Sequence, residues 1–227
     1  MKKTITIHVV SDVVCPWCYV GKKRLEKAMS KLEKEFDFEV IVHPYELNPL
    51  LPENGTDFKR YLSSKFGSSE KMEKSFTYLT GIGKELNIDF HFDKIQKAFR
   101  TFHLHKLLYV ALAEDLQEKM QELFFKAYFE EGKDLTDIDT IASLLAPLGW
   151  DKTKVENILQ DDEIGLTVKE NIDYVESLGI TGVPFFIIQQ YGISGAQSVE
   201  VFEEAIREIA ALPEDSHGCG HDGCGCH

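Results

Sequence analysis

The chain has 227 residues, and 25 basic against 38 acidic side chains give it a net charge of −13. At about 150 residues per domain, this length predicts one large domain or one domain with an insertion. With 43% hydrophobic and 28% charged residues, the composition excludes collagen-like, disordered and membrane-spanning classes. The acidic balance argues against nucleic acid and anionic lipid surfaces as partners, because phosphate contacts require clustered Lys and Arg.

The first predicted element is a strand over residues 4–10, where β-branched residues alternate with polar ones. Two lysines before an apolar run imitate a signal peptide, but this run is short and interrupted, and no small-residue cleavage site follows. The sequence also contains no apolar stretch of about 20 residues. We therefore expect no membrane span and a cytoplasmic, reducing location.

The remaining elements follow in the order helix, strand, helical block, two strands and helix. In the first helix, Cys18 and Leu25 face the core at helical spacing, and Lys22 is expected on a solvated basic face. Because the helical block interrupts an otherwise βαβ/ββα unit, the sequence predicts an α/β fold with an inserted all-helical domain. The expected divisions are 1–55 and 179–212 for the α/β domain, 56–178 for the insertion and 213–227 for a Cys/His-rich tail.

The motif Cys-Pro-Trp-Cys lies between the first strand and the first helix, and the chemistry expected of it depends on this position. Cys15 falls at the N-cap, and Pro16 falls at the first helical position, where no amide donor is needed. Because a helix N-terminus favours an anion, we expect a Cys15 thiolate of lowered pKa. Cys18 lies one turn further along the helix. The pattern predicts that Cys15 attacks a disulfide and that Cys18 resolves the mixed disulfide.

Two other interpretations of this pair follow from the cysteine count of five. The cysteines occur only near the two ends of the chain, which is not the pattern of a disulfide framework. In the first interpretation, Cys15 and Cys18 are an unreactive buried pair. In the second, they join Cys219 and Cys224 in a four-thiolate zinc site. The bulky Trp17 is unusual for a zinc turn, so redox chemistry is favoured.

The last eleven residues contain three Cys and three His separated mainly by glycine. Thiolates and imidazoles are ligands for Zn²⁺ or Cu(I), which makes four of these side chains candidate metal ligands: Cys219, His221, Cys224 and Cys226. A second interpretation is a redox relay in which Cys219 and Cys224 exchange with the active-site pair. A third is a tail with incidental metal affinity.

The strand, the Cys-Pro-Trp-Cys motif, the helix and the late segment 181–186 (TGVPFF) together resemble the thioredoxin fold. The helical insertion resembles the DsbA-like proteins of that fold. Residues 12–21 and 194–197 are similar to the FrnE-like branch of these proteins. Residues 100–107 are also similar to a segment of that branch, although Arg100 and Leu104 replace its Asn and Ala.

This resemblance implies a set of substrate contacts. Pro184 would be cis and packed beside the cysteines, and the backbone of Val183 would hydrogen-bond an extended substrate segment. Pro16 and Trp17 are further candidate contacts, with Trp17 exposed between the thiols. His105, in the branch-like segment, would border the active-site groove or serve as a hydrogen-bonded helix residue. The implied partners are protein or low-molecular-weight thiols and disulfides, glutathione included, with no required cofactor, and a homodimer is a further expectation.

One position departs from the family pattern. Thioredoxin and DsbA carry a buried acid six residues before the first cysteine, and Val9 occupies that position here. Asp12 or His8 would have to replace the acid as the proton acceptor for Cys18. The alternation of the strand turns His8 away from the face of Val9, and Asp12 also fits a turn.

The sequence thus predicts a thiol-disulfide oxidoreductase that works in either direction. The related kappa-class glutathione transferases and hydroxychromene-carboxylate isomerases carry Ser where this chain has Cys15, so a glutathione-dependent isomerase or transferase is an alternative. A Cys/His metal-binding protein is another. A third is a peptide-binding holdase that uses the groove at Val183 and Pro184.

Overall fold

The computed structural model describes residues 2–212, except the side chain of Phe66. In chain order the elements are β1 (Lys3–Ser11), α1 (Pro16–Leu32), β2 (Phe36–Pro44), β3 (Thr56–Asp57), α2 (Phe58–Phe66), α3 (Ser69–Leu86), β4 (Lys97–Ala98), α4 (Phe102–Leu112), α5 (Gln117–Phe125), a π-helical turn (Lys126–Glu130), α6 (Ile138–Leu145), a 3₁₀ turn (Ala146–Leu148), α7 (Lys152–Gln160), α8 (Asp162–Ser177), β5 (Phe185–Ile188), β6 (Tyr191–Ser194) and α9 (Val199–Ala211). None of these helices is long and apolar enough to cross a membrane.

The central sheet has the strand order β2-β1-β5-β6. β1 and β2 are parallel, and the other two pairs are antiparallel. Because side chains alternate across a strand, Val9 packs on one face with Leu25 of α1 and Phe202 of α9. Its neighbour Val10 packs on the other face with Val175 of α8. Helices therefore cover both faces of the sheet.

Helices α2–α8 lie between β2 and β5 and build a second core. The first turn of α1 belongs to this core, because Cys15, Cys18 and Tyr19 pack with residues of the insertion such as Phe125. The start of α1 is thus held between the sheet and the insertion. The insertion also contains the short β3–β4 pair, in which Thr56 lies opposite Ala98; strands of two residues are too short to produce a recognisable period in the sequence.

Side-chain caps explain where most of the α-helices begin. Ser or Asp side chains accept hydrogen bonds from first-turn N–H groups at Asp57, Ser68, Asp137, Asp151, Asp161 and Ser198. Helix α1 differs, because its N-cap Cys15 makes no side-chain cap hydrogen bond and Pro16 follows it. The first turn of α1 therefore presents its N–H groups to a sulfur atom rather than to an oxygen cap.

One local expectation is wrong. Lys22 is buried rather than solvated, because α5 packs against this side of α1; its ammonium pairs with Glu26 and lies 3.7 Å from Glu122 Oε2. The candidate metal ligands Cys219, His221, Cys224 and Cys226 lie outside the described residues.

Candidate active site

A tight turn connects the end of β1 to the start of α1, where the two cysteines lie. The Cys15 N–H donates to Asp12 O over 3.1 Å, and the Cys18 N–H donates to Cys15 O over 3.0 Å. Both cysteines are free thiols, with exposed fractions of 4% for Cys15 and 2% for Cys18. The Cys15 sulfur lies beside a cavity, and Cys18 is the more deeply buried of the two.

Cys15 has the more acidic thiol of the two. Its pKa lies below the ordinary cysteine value, chiefly because the Cys18 side chain hydrogen-bonds its sulfur. Burial opposes this shift, and the backbone N–H groups of Cys18 and Trp17 add to it. These are the N–H groups of the open first turn, whose positive dipole end also favours a thiolate.

Cys18 has the opposite character. Burial raises its pKa well above the ordinary value, and the neighbouring Cys15 raises it further. Hydrogen bonds from the Asp12 backbone and the Ser11 side chain work against this shift. Ser11 Oγ in turn accepts a hydrogen bond of 3.1 Å from Gln121 Nε2 in α5. Gln121 of the insertion is therefore connected to the Cys18 thiol through Ser11.

The loop before β5 forms the opposite wall of the site. The Val183–Pro184 peptide bond is cis. The Cys15 thiol donates to Val183 O over 3.7 Å, and Pro184 O accepts a hydrogen bond of 2.9 Å from the Gly195 N–H. Behind this loop, Gly21 of α1 leaves room for the proline ring. Val183 thus faces the thiol, and Pro184 packs behind Val183 against the helix.

A cavity of about 260 Å³ opens beside Cys15, near the lower end of the usual range for small-molecule sites. At one point of its wall, Lys65 Nζ donates to Tyr61 Oη over 2.8 Å, and Tyr61 Oη donates to Asn48 Oδ1 over 2.5 Å. The rest is mainly apolar and includes seven aromatic residues: Trp17, Phe58, Phe76, Phe92, Phe99, Tyr128 and Phe129.

Two residues expected at the groove lie elsewhere or differ in exposure. His105 is 2% exposed and does not line the cavity; its Nε2 donates to Tyr45 O over 3.0 Å. Its expected position at the groove is therefore wrong, and the alternative of a hydrogen-bonded helix histidine fits. Trp17 is half-buried rather than exposed, because its ring packs 6.0 Å from that of Tyr78, centroid to centroid.

Asp12 is buried in the turn that leads into Cys15. Its side chain is fully buried, Oδ2 accepts a hydrogen bond of 2.7 Å from the Leu47 N–H, and Oδ1 accepts one of 3.4 Å from Val14. His105 Nε2 lies 3.6 Å from Oδ1. The turn position expected for Asp12 is thus correct, and the structure adds a histidine partner from α4 that no sequence pattern indicated.

The structure therefore brings together Cys15, Cys18, Pro16, Trp17 and Val183. Sequence reasoning missed Ser11, Gln121 and most of the aromatic cavity wall, because these residues come from separate elements and share no motif. Among residues 2–212, no group of three or more His, Cys, Asp and Glu side chains is arranged to hold a metal ion.

The chain is similar in sequence and structure to several known proteins. A family profile described as the DSBA-like thioredoxin domain matches residues 6–207. The uncharacterized protein YwbO of Bacillus subtilis is 29% identical over 215 residues, which cover 90% of this chain and 97% of that protein. The crystal structure of a probable DsbA oxidoreductase from Streptomyces coelicolor is also 29% identical, with a TM-score of 0.85 over 98% of this chain and 99% of its own.

More distant structures share the fold. The 2-hydroxychromene-2-carboxylate isomerase has a TM-score of 0.68 and 16% identity, covering 90% of this chain and 96% of its own. The cytosolic disulfide reductase DsbM of Pseudomonas aeruginosa, solved with GSH, has a TM-score of 0.62 and 16% identity, covering 91% and 100%. These matches confirm the predicted fold class, an α/β thioredoxin fold with a helical insertion.

Proposed function

Since the chain belongs to the family of DsbA-like thioredoxin-domain proteins, we propose that it is a thiol-disulfide oxidoreductase whose reacting groups are Cys15 and Cys18. One observation carries the proposal: two free thiols share the first turn of α1, and their pKa values are shifted in opposite directions. Because of this difference, Cys15 ionises more readily and is the attacking group, whereas Cys18 stays protonated until the second step.

The first step is attack of the Cys15 thiolate on one sulfur of a substrate disulfide. The substrate S–S bond breaks, a bond from Cys15 to the attacked sulfur forms, and the other substrate sulfur leaves as a thiolate. Cys18 then loses its proton and attacks the Cys15 sulfur, which releases the second substrate thiolate. The substrate gains two electrons, and the protein is left with a Cys15–Cys18 disulfide. In the reverse direction a substrate dithiol is oxidised and the protein is reduced.

Substrate contacts follow from the walls of the site. An extended segment would hydrogen-bond the backbone of Val183 by strand addition, while Pro16 and Trp17 would contact the group attached to the attacked sulfur. The substrates of this proposal are protein or low-molecular-weight disulfides, glutathione disulfide included. Within the family, residues 12–21 and 194–197 support a place in the FrnE-like branch.

The test is a redox titration of the full chain in glutathione buffers, with free thiols trapped by alkylation and mapped by peptide mass. We expect a reversible Cys15–Cys18 disulfide at a potential between about −120 and −270 mV. Cys15→Ser should abolish exchange, and Cys18→Ser should accumulate a mixed disulfide on Cys15.

Three results would overturn the proposal. Full catalytic activity of Cys15→Ser toward a glutathione-dependent isomerisation or conjugation would favour the isomerase or transferase alternative. Cysteines that never pair, and that resist alkylation only while metal is bound, would favour the metal-binding alternative. Undiminished binding of unfolded chains by the double Cys→Ser variant, with no exchange in the parent protein, would favour a holdase.

A further inference from the structure

Asp12 is a buried acid beside the reacting thiols that the exchange mechanism above does not use. It lies in the same turn as Cys15, whose N–H donates to the Asp12 carbonyl over 3.1 Å. Its side chain is fully buried, so its charge is little screened by solvent. At the position where the family usually has a buried acid, this chain has Val9. Val9 packs against α1 and α9.

The surroundings of Asp12 keep its carboxylate in place. Both oxygens act as acceptors for backbone N–H groups, from Leu47 over 2.7 Å and from Val14 over 3.4 Å. His105 of α4 approaches Oδ1 to 3.6 Å while its Nε2–H donates to Tyr45 O. The carboxylate is therefore fixed by three elements and cannot swing away from the thiols.

The field of this carboxylate extends to the thiols and the cavity. Repulsion from Asp12 counteracts the lowering of the pKa of Cys15. On the cavity wall, burial raises the pKa of Tyr128 and Asp12 raises it further. The titratable groups around Asp12 are thus Cys15 and Cys18 at the start of α1, His105 from α4, Tyr128 from the π-helical turn and Tyr45 after β2.

We propose that Asp12 is an electrostatic control residue of the exchange reaction, whose buried negative charge disfavours the reduced protein and makes it a stronger reductant. The reason is a difference between the two redox states. In the disulfide state the Cys15 sulfur is neutral, so Asp12 does not repel it. In the dithiol state Cys15 is partly a thiolate and is repelled. A protein whose reduced form is destabilised gives up its electrons more readily.

His105 acts through Asp12 and is a positioning residue in this arrangement. Its Nε2 lies 3.6 Å from Oδ1 of the carboxylate, and it does not line the cavity beside Cys15. Replacing His105 should therefore alter the thiols only to the extent that Asp12 moves.

The test compares Asp12→Asn with Asp137→Asn in the full chain. Both substitutions remove one negative charge; Asp137 is the exposed N-cap of α6, where Asn also caps well. The pKa of Cys15 is measured from the thiolate absorbance near 240 nm as a function of pH. The equilibrium with glutathione is measured by alkylation and mass.

For Asp12→Asn we expect the pKa of Cys15 to fall by about one unit and the glutathione equilibrium to shift about tenfold toward the reduced protein. Asp137→Asn should change neither. Asp12→Glu, which keeps the charge, should stay closer to the parent protein in both measurements. If Asp12→Asn does not fold, Asp12→Ser removes the same charge and keeps a short acceptor for the Leu47 N–H.

An unchanged or higher pKa of Cys15 in folded Asp12→Asn or Asp12→Ser would overturn this inference, as would equal shifts in Asp137→Asn. The redox part rests on the proposed function, but the pKa of Cys15 is measurable without any exchange activity. A parent protein that forms no reversible disulfide would therefore defeat the proposed function alone. A parent that exchanges normally, with an Asp12→Asn variant that matches it, would defeat the role of Asp12 alone.

Discussion

A Cβ atom added to Gly21 would lie 3.1 Å from Cγ of Pro184 and 3.0 Å from the Phe186 ring. Helix α1, which follows Cys15 and contains Cys18, therefore packs directly against the loop that contains Val183. The absence of a side chain at position 21 allows α1 to approach this closely. This contact therefore links the packing of two elements to the geometry around Cys15 and Val183.

Gly21→Ala should push α1 away from the Pro184 loop. We expect a loss of about 1–3 kcal/mol in the free energy of unfolding, because the added methyl group overpacks the contact, together with slower disulfide exchange. Denaturant unfolding and an exchange assay measure the two effects. Gly81→Ala is the control, because this exposed glycine of α3 has no atom within 4 Å of an added Cβ. It should gain up to about 1 kcal/mol from helix propensity; an equal loss in both variants would contradict the packing argument.

The rate of alkylation at Cys15 should depend on pH in a way that Cys18 controls. The Cys18 side chain is the largest cause of the lowered pKa of Cys15. Cys18→Ala removes that hydrogen bond, so the pH at which alkylation reaches half its maximum should move upward. The measurement is the rate of iodoacetamide labelling at Cys15 against pH. A midpoint that moves downward in Cys18→Ala would show that another group sets the acidity of Cys15.

Ser11→Ala should slow the second step of exchange and leave the first step nearly unchanged. The Ser11 hydrogen bond lowers the pKa of Cys18, so its loss should leave less Cys18 thiolate to attack the mixed disulfide. Quenched-flow trapping should then show a mixed disulfide on Cys15 that persists several-fold longer than in the parent protein. Ser11→Thr keeps the hydroxyl group and should restore the parent rate. Equal persistence in the Ala and Thr variants would indicate a loss of packing rather than of the hydrogen bond.

Filling the cavity should discriminate against small aromatic disulfides. Ala98 is buried in the cavity wall, and Ala98→Leu should occupy part of the space beside Cys15. We expect the KM for 5,5′-dithiobis(2-nitrobenzoate) to rise roughly tenfold, the scale of a methylene-sized misfit in a pocket. Ala146→Leu, on the exposed 3₁₀ turn, is the control. An unchanged KM in folded Ala98→Leu would mean that small disulfides reach Cys15 without entering the cavity.

Removing residues 213–227 should abolish zinc binding without affecting exchange at Cys15. The expectation rests on the composition of that segment, whose Cys219, His221, Cys224 and Cys226 are ligand types for zinc. Zinc content per chain is measured by elemental analysis after purification in zinc-containing buffer. The full chain with both Cys15→Ser and Cys18→Ser should keep its zinc. Loss of zinc from that variant would support the four-thiolate site that joins both ends of the chain.

The sequence alone determined the features that depend on residues close together in the chain. Cys15 at the N-cap, Pro16 at the first helical position and Cys18 one turn later are consequences of local helix geometry. The alternation in residues 4–10 placed Val9 and Val10 on opposite faces of the sheet, as the structure shows. The order of strands and helices followed in the same way, and with it the fold class.

Only the tertiary structure decided what surrounds the cysteines. Ser11 and Gln121 are 110 positions apart in the chain, and the approach of α5 that joins them also buries Lys22. His105 lies on a helix whose sequence allowed either a groove or an interior position, and packing against β2 and Asp12 placed it inside. Burial and long-range charge depend on which elements pack together, whereas residue type and spacing report mainly on contacts within one turn or one strand. The N-cap position in the sequence already predicted the lowered pKa of Cys15, whereas the raised pKa of Cys18 follows from burial that only the fold produces.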